Sequence, residues 1–138
     1  MIALVTGAFG QLGTDLVPRL LLENFSVVVV AHKTVDSSVP WFARVKVVHG
    51  NVTDAVFVRQ CVLDVKPDVV FHLAGVLSAV GESDPLRAWA VNVDSVRFFL
   101  DAAASVRSFR LFWASSIAVF GPNTPKLAPE DGPFGATT

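Results

Sequence analysis

Three glycines at three-residue spacing stand in Thr6-Gly7-Ala8-Phe9-Gly10-Gln11-Leu12-Gly13, directly after an apolar run and before a stretch with helical periodicity. That context gives the spacing its meaning, because a strand-turn-helix unit aims backbone amides at a ligand. Gly7 suits the tight turn, Gly10 lets backbone approach a diphosphate, and Gly13 lets the helix pack close to the strand. The helix N-terminus adds amide donors, so the chemistry is that of gripping the pyrophosphate of a dinucleotide. A glycine-rich turn that merely joins strand to helix is the plainer alternative.

Dinucleotide sites commonly place Asp or Glu about 20 residues further on, against the adenosine ribose. His32-Lys33 stands there instead, with Asp36 a few positions on. A cationic Lys33 beside the ribose would suit a 2′-phosphate, and so NADP over NAD; as a solvated strand-end charge it favours neither. Ser115-Ser116 comes after the last apolar run. Such a pair can hold a reacting alcohol by hydrogen bonding, or simply satisfy loop amides.

The scaffold around these residues is legible in an alternation of patterns. Ile2–Thr6, Ser26–Ala31, Val45–His49, Val69–Leu73 and Arg110–Ala114 are short apolar, largely β-branched runs that read as buried strands. Between them apolar residues recur at helical spacing: Leu12, Leu16 and Leu20; Val58, Val62 and Val65; Trp89, Val93, Val96 and Leu100. Asp54 is placed to cap one helix, and Ser83-Asp84-Pro85 to open a long one over Ser83–Ala104. Pro18 lies inside the first helix, where it removes a donor and should kink the chain. Strand-helix alternation predicts an α/β fold with a doubly wound parallel sheet over 1–138. Gly121 to Thr138 shows no periodicity and reads as loop.

Composition narrows the function classes. The chain has 138 residues, 52% hydrophobic and 17% charged, enough for one core and too apolar for disorder. Eleven Lys and Arg against twelve Asp and Glu leave no basic field for nucleic acid. The single Cys61 excludes an internal disulfide, and His32, His49 and His72 lack partners at metal-ligand spacing. No run approaches the ~20 apolar residues of a membrane span, and Met1-Ile2-Ala3-Leu4 is not a leader, so a cytoplasmic protein is expected.

Four further segments carry a resemblance: Gly50-Asn51-Val52-Thr53-Asp54, His72-Leu73-Ala74-Gly75, Val91-Asn92-Val93 and Ala114-Ser115-Ser116-Ile117-Ala118-Val119-Phe120-Gly121. With the glycine loop they resemble an extended short-chain dehydrogenase/reductase of the NAD-dependent epimerase/dehydratase superfamily. Leu77-Ser78-Ala79-Val80-Gly81-Glu82 and the run from Phe112 to Pro122 are most similar to the short-chain L-threonine 3-dehydrogenases, over essentially the whole chain. The resemblance implies a Rossmann-like sheet, oxidation of the threonine hydroxyl with NAD to 2-amino-3-ketobutyrate, and a homodimer formed through helices including Ser83–Ala104. It implies that Gln11 and Leu12 line the pyrophosphate loop, that Asn51 and Val52 meet adenine, and that Leu73, Ala74 and Gly75 back the cofactor. Asn51 replaces the usual Asp, which keeps an acceptor and loses a charge.

By the same resemblance Ser116 is the catalytic serine with Ser115 beside it, Ser78 belongs to the substrate pocket, and Asn92 braces the strand ends or is satisfied by local backbone. His72 has no part in the family's proton transfer and reads as a structural contact at a strand end. The family's base is a tyrosine in Tyr-x-x-x-Lys, about 25 residues beyond Ser116, its phenol acidified from about 10 by the lysine. This sequence contains no tyrosine and ends at Thr138. The expectation is an incomplete domain that binds without turnover and exposes apolar surface. A sugar-nucleotide epimerase or reductase fragment and a non-catalytic dinucleotide-binding module stay open as alternatives.

Overall fold

β-branched residues dominate the central strands, which are buried on both faces. The computed structural model describes residues 1–32, 35–127, 130 and 135, and for 78–80 and 118 it describes backbone only. Five strands, β1 (Ile2–Thr6), β2 (Ser26–Ala31), β3 (Lys46–His49), β4 (Val69–His72) and β5 (Arg110–Trp113), form one sheet in the order β3-β2-β1-β4-β5. Every pairing is parallel. Successive side chains leave opposite faces of a strand, and the core divides accordingly. Ala3, Val5, Val27 and Val29 pack on one side with Val17, Leu20 and Leu21 of helix α1 (Gln11–Leu22). Leu4, Val28, Val30 and Val70 pack on the other with Val58 and Val62 of α2 (Ala55–Val65) and Phe99 and Ala102 of α5 (Ser95–Ser105). This is the Rossmann-like, doubly wound arrangement read from the sequence.

Asp54 caps α2 as expected, its carboxylate accepting from the amides of Val56 and Phe57. Burial among Val58, Val62 and their neighbours pushes the Cys61 thiol up to about 11, so it stays protonated and is a small apolar group in effect.

Pro18 does not interrupt α1, which runs through it to Leu22. Its ring needs only the loss of one bond, and the Val17, Leu20 and Leu21 face buries enough to hold the helix together. The long helix expected over Ser83–Ala104 is present, capped by Asp84 and running from α4 (Pro85–Trp89) through a π-helical turn over Ala90–Asp94 into α5, with a separate short helix α3 (Ser78–Ser83) before it. In the π-helical turn the Ser95 amide reaches back five residues to the Ala90 carbonyl. Along this helix Trp89, Val93 and Leu100 stand exposed while Ser95, Phe99 and Ala102 face the core. Beyond β5 the described residues hold one short 3₁₀ turn, Ile117–Val119, and then loop to Leu127.

Candidate functional site

The strand order reverses direction between β1 and β4: from β1 the chain winds outward to β2 and β3, then returns to place β4 and β5 on the other side. A crevice outside the carboxyl ends of the strands opens at such a switch point. Register places Thr6 opposite His72, and His72 opposite Trp113, so the segments beginning at Gly7, Leu73 and Ala114 leave the sheet side by side.

Gly7 turns the chain with φ +67°, the left-handed region that favours glycine. A Cβ there would stand 2.6 Å from the carbonyl carbon and oxygen of Leu73 and 2.7 Å from the Ala74 nitrogen. A Cβ on Gly13 would meet the Gly7 carbonyl oxygen at 2.4 Å, so α1 lies directly on the loop. Gly10 differs from both: its φ is −84°, and the nearest atom to an added Cβ is the Gly7 oxygen at 3.2 Å. Among the described residues no side chain caps α1, whose N-cap residue is Gly10. The first-turn amides of Gln11, Leu12 and Gly13 are thus left to something other than a protein side chain, as an anion-binding helix start requires. Phe9 stacks on buried Trp41 with ring centres 5.3 Å apart, which ties the loop to the segment before β3.

On the β4 side, Asn92 holds the departing chain at both polar atoms of one residue. Its Oδ1 accepts from the Val76 amide at 2.8 Å and its Nδ2 donates to the Val76 carbonyl at 2.9 Å. Asn92 therefore braces the Leu73–Val76 segment from the π-helical turn. Ser115 and Ser116 are exposed just past β5. The Ser116 carbonyl accepts from Val119, which starts the 3₁₀ turn.

At the β2 and β3 ends, His32 is exposed, Val52 is buried in the core, and Asn51 turns its Oδ1 to the Thr53 amide at 3.0 Å. The local turn thus already engages one lone pair of the acceptor expected to meet adenine. Lys33 lies outside the described residues, as does the side chain of Ser78, whose backbone opens α3. The structure brings Gly7, Gly10, Gln11, Leu12, Gly13, Leu73, Ala74, Gly75, Asn92, Ser115 and Ser116 to one sheet edge, with His32 and Asn51 further along it. A separate depression lined by Thr14, Pro18, Val39, Pro40, Trp41 and Arg44 contains none of these residues.

Sequence reasoning gave no role to Thr6 or Ser95. Both are fully buried, and both hydrogen-bond His72, from Thr6 Oγ1 to Nδ1 and from Ser95 Oγ to Nε2, each at 2.7 Å. A serine on the core face of an apolar helix was the available signal. Burial pushes the His72 imidazole down to about 4. Since an unfolded histidine titrates near 6.5, the unfolded chain binds the extra proton first. The stabilisation from neutral His72 is whole above about pH 6.5 and is lost as pH falls through about 4, a total of about 3 kcal/mol. Urea unfolding of the unaltered chain and of His72→Phe across that range checks this: the slope with pH should flatten in the variant, and an equal slope would contradict it.

A family model described as NAD dependent epimerase/dehydratase matches residues 3–138. The chain belongs to that family. An uncharacterized epimerase/dehydratase of Staphylococcus saprophyticus is 35% identical over 127 residues, 90% of this chain and 39% of its own length. Among solved structures, an L-threonine dehydrogenase from Clostridium difficile is 33% identical with a TM-score of 0.86, covering 98% of this chain and 43% of that one. A UDP-glucose 4-epimerase from Brucella ovis, solved in complex with NAD, has a TM-score of 0.76 and covers 87% of this chain and 37% of that one. At 24% identity it speaks for the fold alone. This epimerase/dehydratase chain therefore spans about two fifths of the length of the proteins it matches. Among its described residues no helix is long and apolar enough to cross a membrane.

Proposed function

We propose that this chain is the dinucleotide-binding part of an NAD-dependent dehydrogenase acting on L-threonine or a similar small hydroxy compound, with 2-amino-3-ketobutyrate as product from threonine. One observation carries the reading: an uncapped glycine loop opens at the switch point of the sheet, and a Ser-Ser pair leaves the neighbouring strand end beyond it. The likeness to an L-threonine dehydrogenase at 33% identity supports the substrate class.

The groups present fit NAD. The loop around Gly7, Gly10 and Gly13 with Gln11 and Leu12 would hold the pyrophosphate, the Val52 turn with Asn51 the adenine, and Leu73–Gly75 the inner wall. The chemistry NAD would supply when bound there is acceptance of a hydride from the substrate carbon. Ser116 orients the substrate hydroxyl by hydrogen bonding, Ser78 contributes to the substrate pocket, and Asn92 keeps the wall in place. The hydroxyl proton leaves to a base that this sequence, having no tyrosine, does not supply in the family's usual form. These 138 residues should therefore bind and not turn over. In the longer protein the exposed Phe112 and Trp113 of edge strand β5 would be covered, and the exposed Trp89, Val93 and Leu100 would meet a second subunit.

Calorimetric titration tests the binding part. NAD should bind this chain, and a tenfold or greater preference for NADP would instead assign Lys33 to a 2′-phosphate. In a protein of the relatives' length, NADH formation with L-threonine and none with UDP-sugars is expected. The reverse result would make it a sugar-nucleotide epimerase or reductase, and binding without either activity a non-catalytic module.

A further inference from the structure

The hydrogen bonds around His72 can be assigned a direction, one after another. The Thr6 hydroxyl oxygen accepts from the Ala74 amide at 3.1 Å and shares the Leu73 amide, 3.1 Å away, with the Thr6 carbonyl at 3.2 Å. Its own proton then goes to His72 Nδ1. At the other end the Ser95 hydroxyl donates to the Val91 carbonyl in the π-helical turn, so Ser95 Oγ receives the proton on His72 Nε2. Neutral imidazole protonated on Nε2 satisfies all of these bonds together. A proton on Nδ1 would have to push the Leu73 amide wholly onto the Thr6 carbonyl and turn the Ser95 hydroxyl away from Val91. The ring is 1% exposed and lies against Phe99, with centres 5.0 Å apart, so water offers no substitute.

This chain of bonds runs from the strand that feeds the glycine loop, through β4, to the turn that carries Asn92. Its outer end is the Leu73 and Ala74 amides, whose backbone lies within 2.7 Å of where a Cβ on Gly7 would be. We propose that His72 is a positioning residue of the dinucleotide site: as the Nε2–H tautomer it directs the Thr6 hydroxyl, and so joins the glycine loop, the Leu73–Gly75 wall and the π-helical turn into one frame. The proposal rests on the reading that this edge binds a dinucleotide. It gives the buried imidazole a task in binding and none in proton transfer.

Two measurements on the 138-residue chain test it. Imidazole ¹⁵N spectra, assigned with His32→Gln and His49→Gln at exposed positions, should show His72 with a slowly exchanging proton on Nε2 and bare Nδ1. That state should persist between about pH 8 and 5. A proton on Nδ1, or titration of His72 with an ordinary midpoint, would overturn the assignment.

The second measurement is NAD titration of Thr6→Val, which keeps the shape and removes the directing hydroxyl. The expected results are an NAD Kd raised about tenfold, faster hydrogen exchange at the Ala74 amide, and recovery of both in Thr6→Ser. If the unaltered chain binds NAD and Thr6→Val binds it equally well with faster exchange, the network holds the fold alone and the proposal is wrong. Failure of the unaltered chain to bind NAD sinks the functional reading beneath it, and the positioning role with it. Should Thr6→Val not fold, Ser95→Ala, which breaks the chain of bonds at its other end, is expected to raise Kd in the same direction, and an unchanged Kd there counts against the proposal.

Discussion

Gly10→Val is expected to abolish measurable NAD binding by this chain while leaving its fold in place. Gly10 is the loop glycine at which the fold best tolerates a side chain: its φ of −84° suits any residue, and an added Cβ meets only the Gly7 oxygen, a tight 3.2 Å away that a shift of a few tenths of an ångström relieves. The new side chain instead occupies the space through which a diphosphate must approach the Gln11, Leu12 and Gly13 amides. Losing two such charge-assisted bonds, each worth about 1.5–3 kcal/mol, raises Kd by a hundredfold or more, roughly. Valine at an N-cap lowers helix stability by about 1 kcal/mol relative to glycine at most, so the thermal midpoint should move by only about 4 °C. Titration calorimetry together with circular-dichroism melting measures both quantities. Full affinity in the variant would refute the loop as a phosphate cradle, since the obstruction is unavoidable if ligand sits there.

Gly7→Val is expected to do the opposite and unfold the chain. At φ +67° a β-branched residue is strained by about 1–2 kcal/mol, and its Cβ would lie 2.6 Å from the Leu73 backbone. That contact is with the end of the neighbouring strand, which is itself held by the Thr6 hydroxyl and cannot retreat without breaking those bonds. The combined loss should exceed about 4 kcal/mol, against a total stability of about 5–15 kcal/mol for a domain. In urea the midpoint should collapse toward zero denaturant; a midpoint within experimental error of the unaltered chain would show that the turn is not constrained as described. Two glycines three residues apart thus have separable duties, one to the ligand and one to the fold.

The glycine loop was legible in the sequence because its meaning depends on neighbours in the chain: a β-branched run before it and a helix after it. The Asp54 cap was legible for the same reason, its partners Val56 and Phe57 being two and three residues away. The stripe of Trp89, Val93, Val96 and Leu100 announced a helix, but helical spacing says that residues share a face without saying which neighbour the face meets, and it gave no sign of the π-helical turn at Ala90–Asp94. The His72 network was illegible on different grounds: Thr6 and His72 are 66 residues apart, and Ser95 lies another 23 beyond.

Local choices are written into the chain residue by residue: five apolar runs stiff enough at Cβ to be strands, helices between them, and a turn that only glycine can make next to one that glycine leaves open. The order β3-β2-β1-β4-β5 arose from packing between distant stretches, and with it came the choice of which strand ends are neighbours. That order placed the Gly7 turn against Leu73, and the serine pair beside the wall, where the candidate residues can act on one ligand. It also fixed the protonation of His72, because a tautomer is chosen by the donors and acceptors on both sides of the ring, and here those come from three separate stretches of chain.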